Sequence, residues 1–268
     1  MRMNGLTWPA AAATSVVLLA AGCGSTTEDA GTTTPATTAA ATTKAASATE
    51  QLTAAAAKTS AAAYTYKAAD PSVEGSIEGA IDPAAATATG KLSVGLDAST
   101  KISVETLLVA GGYYVKIGGL PIPGIDGSKW FKYDPAKVSA DNALGLGDAK
   151  DPVQLSAMPA SIAGAQSTDG KSFTGTLDLT KKAWGPFNDP ELITGLGDKA
   201  KAVPFTATVD AEGHLAALKV SLPAYADTPA SDTEVTFAGF GQPVTATAPA
   251  AADVMEAPAA LYDVLNNK

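Results

Sequence analysis

The chain has 268 residues, one cysteine, one histidine and 27 acidic side chains against 18 basic ones, for a formal charge of −9. That balance argues against nucleic acid as a partner, while a lone Cys23 and a lone His214 exclude an internal disulfide and any multi-histidine metal site. Arg2 is the only arginine, so the rest of the chain lacks the planar fork that grips phosphate or carboxylate through two parallel hydrogen bonds.

At the N-terminus, Arg2 precedes an apolar run from Ala10 to Ala21 that is too short to span a bilayer. It ends in Leu19-Ala20-Ala21-Gly22-Cys23, which looks like a bacterial lipobox, with alanine at position 20 where leucine is commonest. Residues 1–22 therefore read as a lipoprotein signal peptide, and the Cys23 thiol as the acceptor of a diacylglycerol. Each buried methylene of its palmitate-like chains is worth about 0.8 kcal/mol, so two chains anchor a protein without a transmembrane helix. The expected location is the cell envelope, exported and held on the outer leaflet of the cell membrane through Cys23.

From Gly24 to Glu50 the residues are almost all Thr, Ala, Ser and Gly, with no periodic apolar face. Residues 23–50 are thus expected to be the lipidated cysteine and a disordered tether. A flexible coil of about 27 residues has an r.m.s. reach of about 26 to 31 Å. Residues 51–268 are expected to form one domain.

Glu50 to Lys58 is alanine-rich, with Ser47 or Thr49 available as a cap, and predicts a helix. Thereafter the apolar period is two. Leu92, Val94 and Leu96 alternate with polar neighbours, as do Ile102, Val104 and Leu108, then Tyr113, Val115 and Ile117. Further on, the same alternation holds for Phe173, Leu177 and Leu179, for Phe205, Ala207 and Val209, for Leu218, Val220 and Leu222, and for Val235 and Phe237. These are half-buried antiparallel strands with one apolar face and one wet face. Asp126-Gly127, Asp169-Gly170 and Glu212-Gly213 are predicted turns in which glycine takes a positive φ. Pro152 to Gly164, Pro190 to Gly197 and the stretch from Pro258 through Leu265 read as short helices. A one-faced antiparallel sheet with few helices must curl around something, so the expected class is α+β.

No catalytic set emerges. Gly164 to Ser172 has five residues between its outer glycines and runs into a strand, which removes the helix a phosphate loop needs. His214 follows Gly213, has no nucleophile motif to serve and reads as a surface turn residue. The aromatics Trp130, Phe131 and Tyr133, and the Trp184-Gly185-Pro186-Phe187 cluster, either pack a core or line the mouth of a ligand cavity. Leu120 to Ile125 is an apolar loop whose prolines exclude regular strand.

With these segments in place, the chain resembles the mycobacterial LppX and LprG lipoprotein family, whose fold is similar to the periplasmic lipoprotein carriers of Gram-negative bacteria. The likeness runs from about residue 50 to 250. It rests on the lipobox with its Thr-rich tether, on Asp126-Gly127-Ser128-Lys129-Trp130-Phe131-Lys132-Tyr133-Asp134, and on Phe240-Gly241-Gln242-Pro243-Val244-Thr245-Ala246-Thr247-Ala248-Pro249. The closing Ala259 to Lys268 segment departs from it. What the resemblance implies is a strongly curved antiparallel β half-barrel, with helices covering its concave apolar face and a cavity between them for acyl chains. It also implies a non-enzymatic carrier of lipids or glycolipids, with no cofactor and with an envelope transporter as a partner. By that analogy Leu92, Val94, Leu96, Ile102, Val104, Leu108, Tyr113, Val115, Phe173, Leu177, Phe205, Val209, Leu218, Val220, Val235 and Phe237 line the cavity. The competing expectation is an envelope interaction or assembly protein in which the same sheet encloses a filled core.

Overall fold

Twelve strands make one sheet in the computed structural model, which describes residues 46–70, 75–95, 101–119, 126–139 and 150–266. The expected signal peptide, Cys23 and most of the expected tether, together with Leu96 and the Leu120 to Ile125 segment, lie outside the described residues. The described residues belong to one compact unit. The protein is α+β, with few helices beside an open and mostly antiparallel sheet.

The first helix, α1, spans Ala48–Ala61 and starts where the sequence predicts. Ser47 caps it: the Glu50 N–H donates to Ser47 Oγ at 3.3 Å and the Ser47 N–H donates to the Glu50 carboxylate at 2.6 Å. This reciprocal box satisfies two otherwise orphaned N–H groups. The helix then buries Leu52, Ala55, Ala56 and Thr59, and the Thr59 hydroxyl accepts from the Leu215 N–H at 2.8 Å, which ties the helix to the sheet.

The strands follow in two meanders. The first comprises β1 (Tyr64–Asp70), β2 (Gly75–Asp82), β3 (Thr87–Gly95), β4 (Lys101–Val109), β5 (Gly112–Gly118) and β6 (Trp130–Tyr133). The second comprises β7 (Ile162–Gln166), β8 (Ser172–Leu177), β9 (Val203–Val209), β10 (Leu215–Leu222) and β11 (Ser231–Ala238). Within each meander successive strands pair, and β1 pairs with β11 to join the two. The last strand, β12 (Val254–Glu256), returns to the far edge and pairs parallel with β6, as Val254 opposite Trp130 shows. Three short helices complete the unit: α2 (Met158–Ser161), α3 (Pro190–Leu196) and α4 (Ala259–Leu265).

Several expectations are corrected. Pro152 to Gly164 is not one helix: a 3-10 turn at Leu155–Ala157 and α2 end at Ser161, and β7 begins at Ile162. Pairing of Ile162 with Leu177 and of Gly164 with Thr176 overrides the helical spacing of its apolar residues. Leu179 lies beyond β8 but remains buried, its N–H donating to the Ala200 carbonyl at 2.8 Å. Gly170 and Gly213 have φ of 68° and 88°, whereas Gly127 is not among the positive-φ glycines. Gly127 is required for closeness instead, because a Cβ there would meet the Ile117 carbonyl oxygen at 2.8 Å. Strands β1, β2, β7 and β12 are not among the elements that the sequence predicts.

Candidate functional site: one apolar face, filled at one end

Strand register places the apolar residues of the sheet in rows on one side. One row runs Tyr64, Ile81, Ala88, Leu108, Tyr113, Tyr133 through directly paired positions, and every member is buried. The next runs Phe237, Tyr66, Gly79, Gly90, Thr106, Val115, Phe131. A third runs Leu218, Val235, Ala68, Ile77, Leu92, Val104, Ile117, and beyond it Val94 faces Ile102. On the second meander, Phe173 pairs with Ala207 and Val220 with Phe205, which continues the same face. All the residues assigned to a cavity from sequence, apart from Leu96, therefore share one side of the sheet.

They do not share one environment. Leu108, Tyr113, Val115, Phe173, Leu177, Phe205, Leu218, Val220, Val235 and Phe237 are buried in a single core cluster. Over the second meander α1 packs on β7, β10 and the 155–161 stretch, and seals that part with Leu155 and Met158, each 0% exposed. At the other edge α4 contributes buried Leu261 and Leu265, and Tyr262 packs edge-on against Tyr133 at 5.1 Å. The Tyr262 hydroxyl accepts from the Asp134 N–H at 2.8 Å, and Asn266 bonds both the Ser139 N–H and the Lys137 carbonyl at 2.9 Å. By contrast Ile77, Leu92, Val94, Ile102, Val104 and Ile117 are only half-buried. They form a continuous apolar surface at the end of β2 to β5 away from Tyr64, Ile81 and Leu108.

Tyr66 marks the boundary. Two facing glycines, Gly79 and Gly90, leave the floor without side chains there, and the Tyr66 ring lies across them. A Cβ on Gly79 would meet the ring at 2.7 Å; one on Gly90 would meet the Thr106 hydroxyl oxygen at 2.5 Å and the Tyr66 hydroxyl at 3.3 Å. Both hydroxyls thus converge over Gly90, a polar step on an otherwise apolar floor. Burial pushes the Tyr66 phenol up to about 12, so it stays a neutral donor in the physiological range. Burial likewise raises the Tyr64 phenol, and its hydroxyl and the Trp184 indole N–H are buried without a hydrogen-bond partner.

The remaining candidates are structural. Trp184 and Phe187 pack edge to face at 5.3 Å and are buried, so this pair belongs to the core. Phe131 and Tyr133 are buried on the apolar side, and Trp130 projects to the opposite one. His214 sits in its predicted turn, but its side chain is only 13% exposed. Phe240 stacks on its ring at 4.2 Å, Asp210 accepts from its backbone N–H at 2.7 Å, and the Asp210 carboxylate lies 3.2 Å from Nδ1. Among the described residues no cluster of His, Cys, Asp and Glu is arranged to hold a metal, and no helix is long and apolar enough to cross a membrane.

Sequence reasoning missed Ile77, Tyr66 and the two glycines. The alternations Tyr64-Tyr66-Ala68 and Ile77-Gly79-Ile81 carry the signal for them. No family model matches this chain, and a search of curated proteins finds none similar to it.

Proposed function

We propose that this protein is an exported, lipid-anchored carrier that takes up an amphiphile by burying its acyl chains against the half-covered end of the apolar face, with no bond made or broken. The observation that carries the reading is the continuous half-buried surface of Ile77, Leu92, Val94, Ile102, Val104 and Ile117, beside a core that is already filled. Moving a sixteen-carbon chain out of water transfers about fifteen methylenes, worth about 12 kcal/mol before ordering costs, so affinity requires no charged site. On this reading the sheet wraps into a half-barrel with α1, α2 and α4 over its concave side, as in the LppX and LprG lipoproteins that the sequence resembles. Acylated Cys23 keeps the carrier on the outer leaflet, its cargo is a lipid or glycolipid, and an envelope transporter is the partner that supplies or receives it.

The filled core supports the rival, an envelope interaction or assembly protein, and one experiment separates the two. A Cys23→Ala form purified from a lipid-rich host is extracted with organic solvent and the extract weighed by mass spectrometry. The carrier predicts stoichiometric lipid, or loading by a fluorescent fatty acid, and Leu92→Asp weakens that loading at least about tenfold. If no lipid is carried and none can be loaded, the carrier reading is overturned.

A further inference from the structure

The opposite, polar side of the sheet carries a second feature. On it Lys67, Glu78, Lys91, Glu105 and Lys116 stand directly opposite one another across β1 to β5, a row of alternating charge. Between β11 and β12 the chain must travel from beside β1 to beyond β6, and it does so as a strap without regular secondary structure whose Ala246 and Thr247 lie on this face. Ala246 and Thr247 of the strap, the first four charges of the row and Trp130 line an open groove of about 600 Å³, with Tyr66, Gly79, Gly90 and Thr106 also bordering it. Residues 243–249 make no hydrogen bond with another described residue, so the strap offers backbone donors and acceptors to whatever lies beneath it.

We propose that this groove binds a neutral saccharide. The volume falls within the range of about 300 to 1,000 Å³ typical of small-molecule sites. Two ammonium and two carboxylate groups line it, so their charges cancel and the groove has no net attraction for an ion. They supply both donors and acceptors, as do Thr65 and Thr89, which is what a ring bearing many hydroxyls requires. The Lys67 and Glu78 side chains stand 4.0 Å apart and are 76% and 51% exposed, so a ligand hydroxyl reaches either without first breaking a buried pair. Trp130 adds a broad apolar surface against which the C–H face of a pyranose packs, with the indole edge left polar. A phosphate or sulfate would meet two carboxylates beside the two ammonium groups, and no arginine fork is present among the described residues to grip it.

This groove shares the stretch of sheet at Tyr66, Gly79, Gly90 and Thr106 with the apolar face, and its test keeps the two apart. The detergent-purified full chain is applied to an array of neutral oligosaccharides, and the strongest binder is then titrated by calorimetry against the wild type and three variants. Expected are binding with Kd below about 1 mM, at least about tenfold weakening in Trp130→Ala, and at least about threefold in Glu105→Gln, whose side chain lies on the solvated face. Leu92→Asp, on the other side of the sheet, leaves saccharide affinity unchanged. The proposal is overturned if no oligosaccharide binds above background, or if Trp130→Ala and Glu105→Gln both bind as the wild type does.

Discussion

Beneath α1 the inner residues of the second meander are sealed, with Phe173, Phe205 and Leu218 at 1%, 2% and 0% exposure, whereas the ends of β2 to β5 carry the same kinds of residue half-covered. Both regions have the same period-two pattern, the same side of the same sheet and the same side-chain chemistry. What differs is the partner. One region receives a helix and the 155–161 stretch; the other receives no helix among the described residues with comparable contact. The same apolar pattern is thus fully buried in one place and only half-covered in another. The boundary between the two regions is Tyr66, lying over a floor where Gly79 and Gly90 carry no side chains.

The comparison can be broken most forcefully at its filled end. Phe173→Ala is expected to cost about 3–5 kcal/mol in urea unfolding, and Leu92→Ala about 1 kcal/mol because much of its surface is already wet. Equal losses would mean that the two regions are packed alike. At the boundary, Gly90→Ala is expected to cost about 1–3 kcal/mol by crowding the Thr106 hydroxyl. Thr106→Ala removes the crowding atom, so the double mutant is expected to recover most of that loss in a thermodynamic cycle. Removing the helix cap by Ser47→Ala should cost about 0.5–2 kcal/mol and loosen α1 over the sealed region, read as faster amide exchange there and not at Leu92.

The smallest effect is expected at the solvent-facing β7–β8 turn. The Ser172 and Lys171 N–H groups donate to Asp169 and hold its carboxyl down at about 2. Because the folded value lies below the unfolded one, its contribution is present above the ordinary carboxylate range and is lost as pH falls toward 2. Asp169→Asn should therefore lower Tm slightly at pH 7, and the gap to the wild type should close on acidification; a gap that persists at pH 2 would rule this account out.

Much of this was legible in the residues themselves. Ser47 with Glu50 three positions on is a helix start written in side chains, and β3 to β5 and β8 to β11 alternate in Val, Leu, Ile, Phe and Thr with little dilution. Strands β1 and β2 escaped because Ala68, Gly79 and Ala80 blunt the alternation, and β7 because Ala163-Gly164-Ala165 has no β-branched residue to declare it. For the site, the side each residue occupies followed from parity alone. Which residues are sealed and which remain half-covered did not, because that depends on where α1 and α4 land. Likewise nothing local distinguishes Trp184 from a cavity-mouth aromatic until Phe187 is found packed against it.

The seam between the meanders has a consequence for synthesis. Thr65 bonds the Ala238 carbonyl across 173 positions of sequence, so β1 stays an unpaired edge until β11 has been made. The first meander can assemble as each hairpin emerges, but its exposed edge is then open to pairing with another chain. Contacts this distant also slow the final closure. A nascent chain interrupted before Ser231 would present that edge permanently, and its characteristic failure would be aggregation through β1.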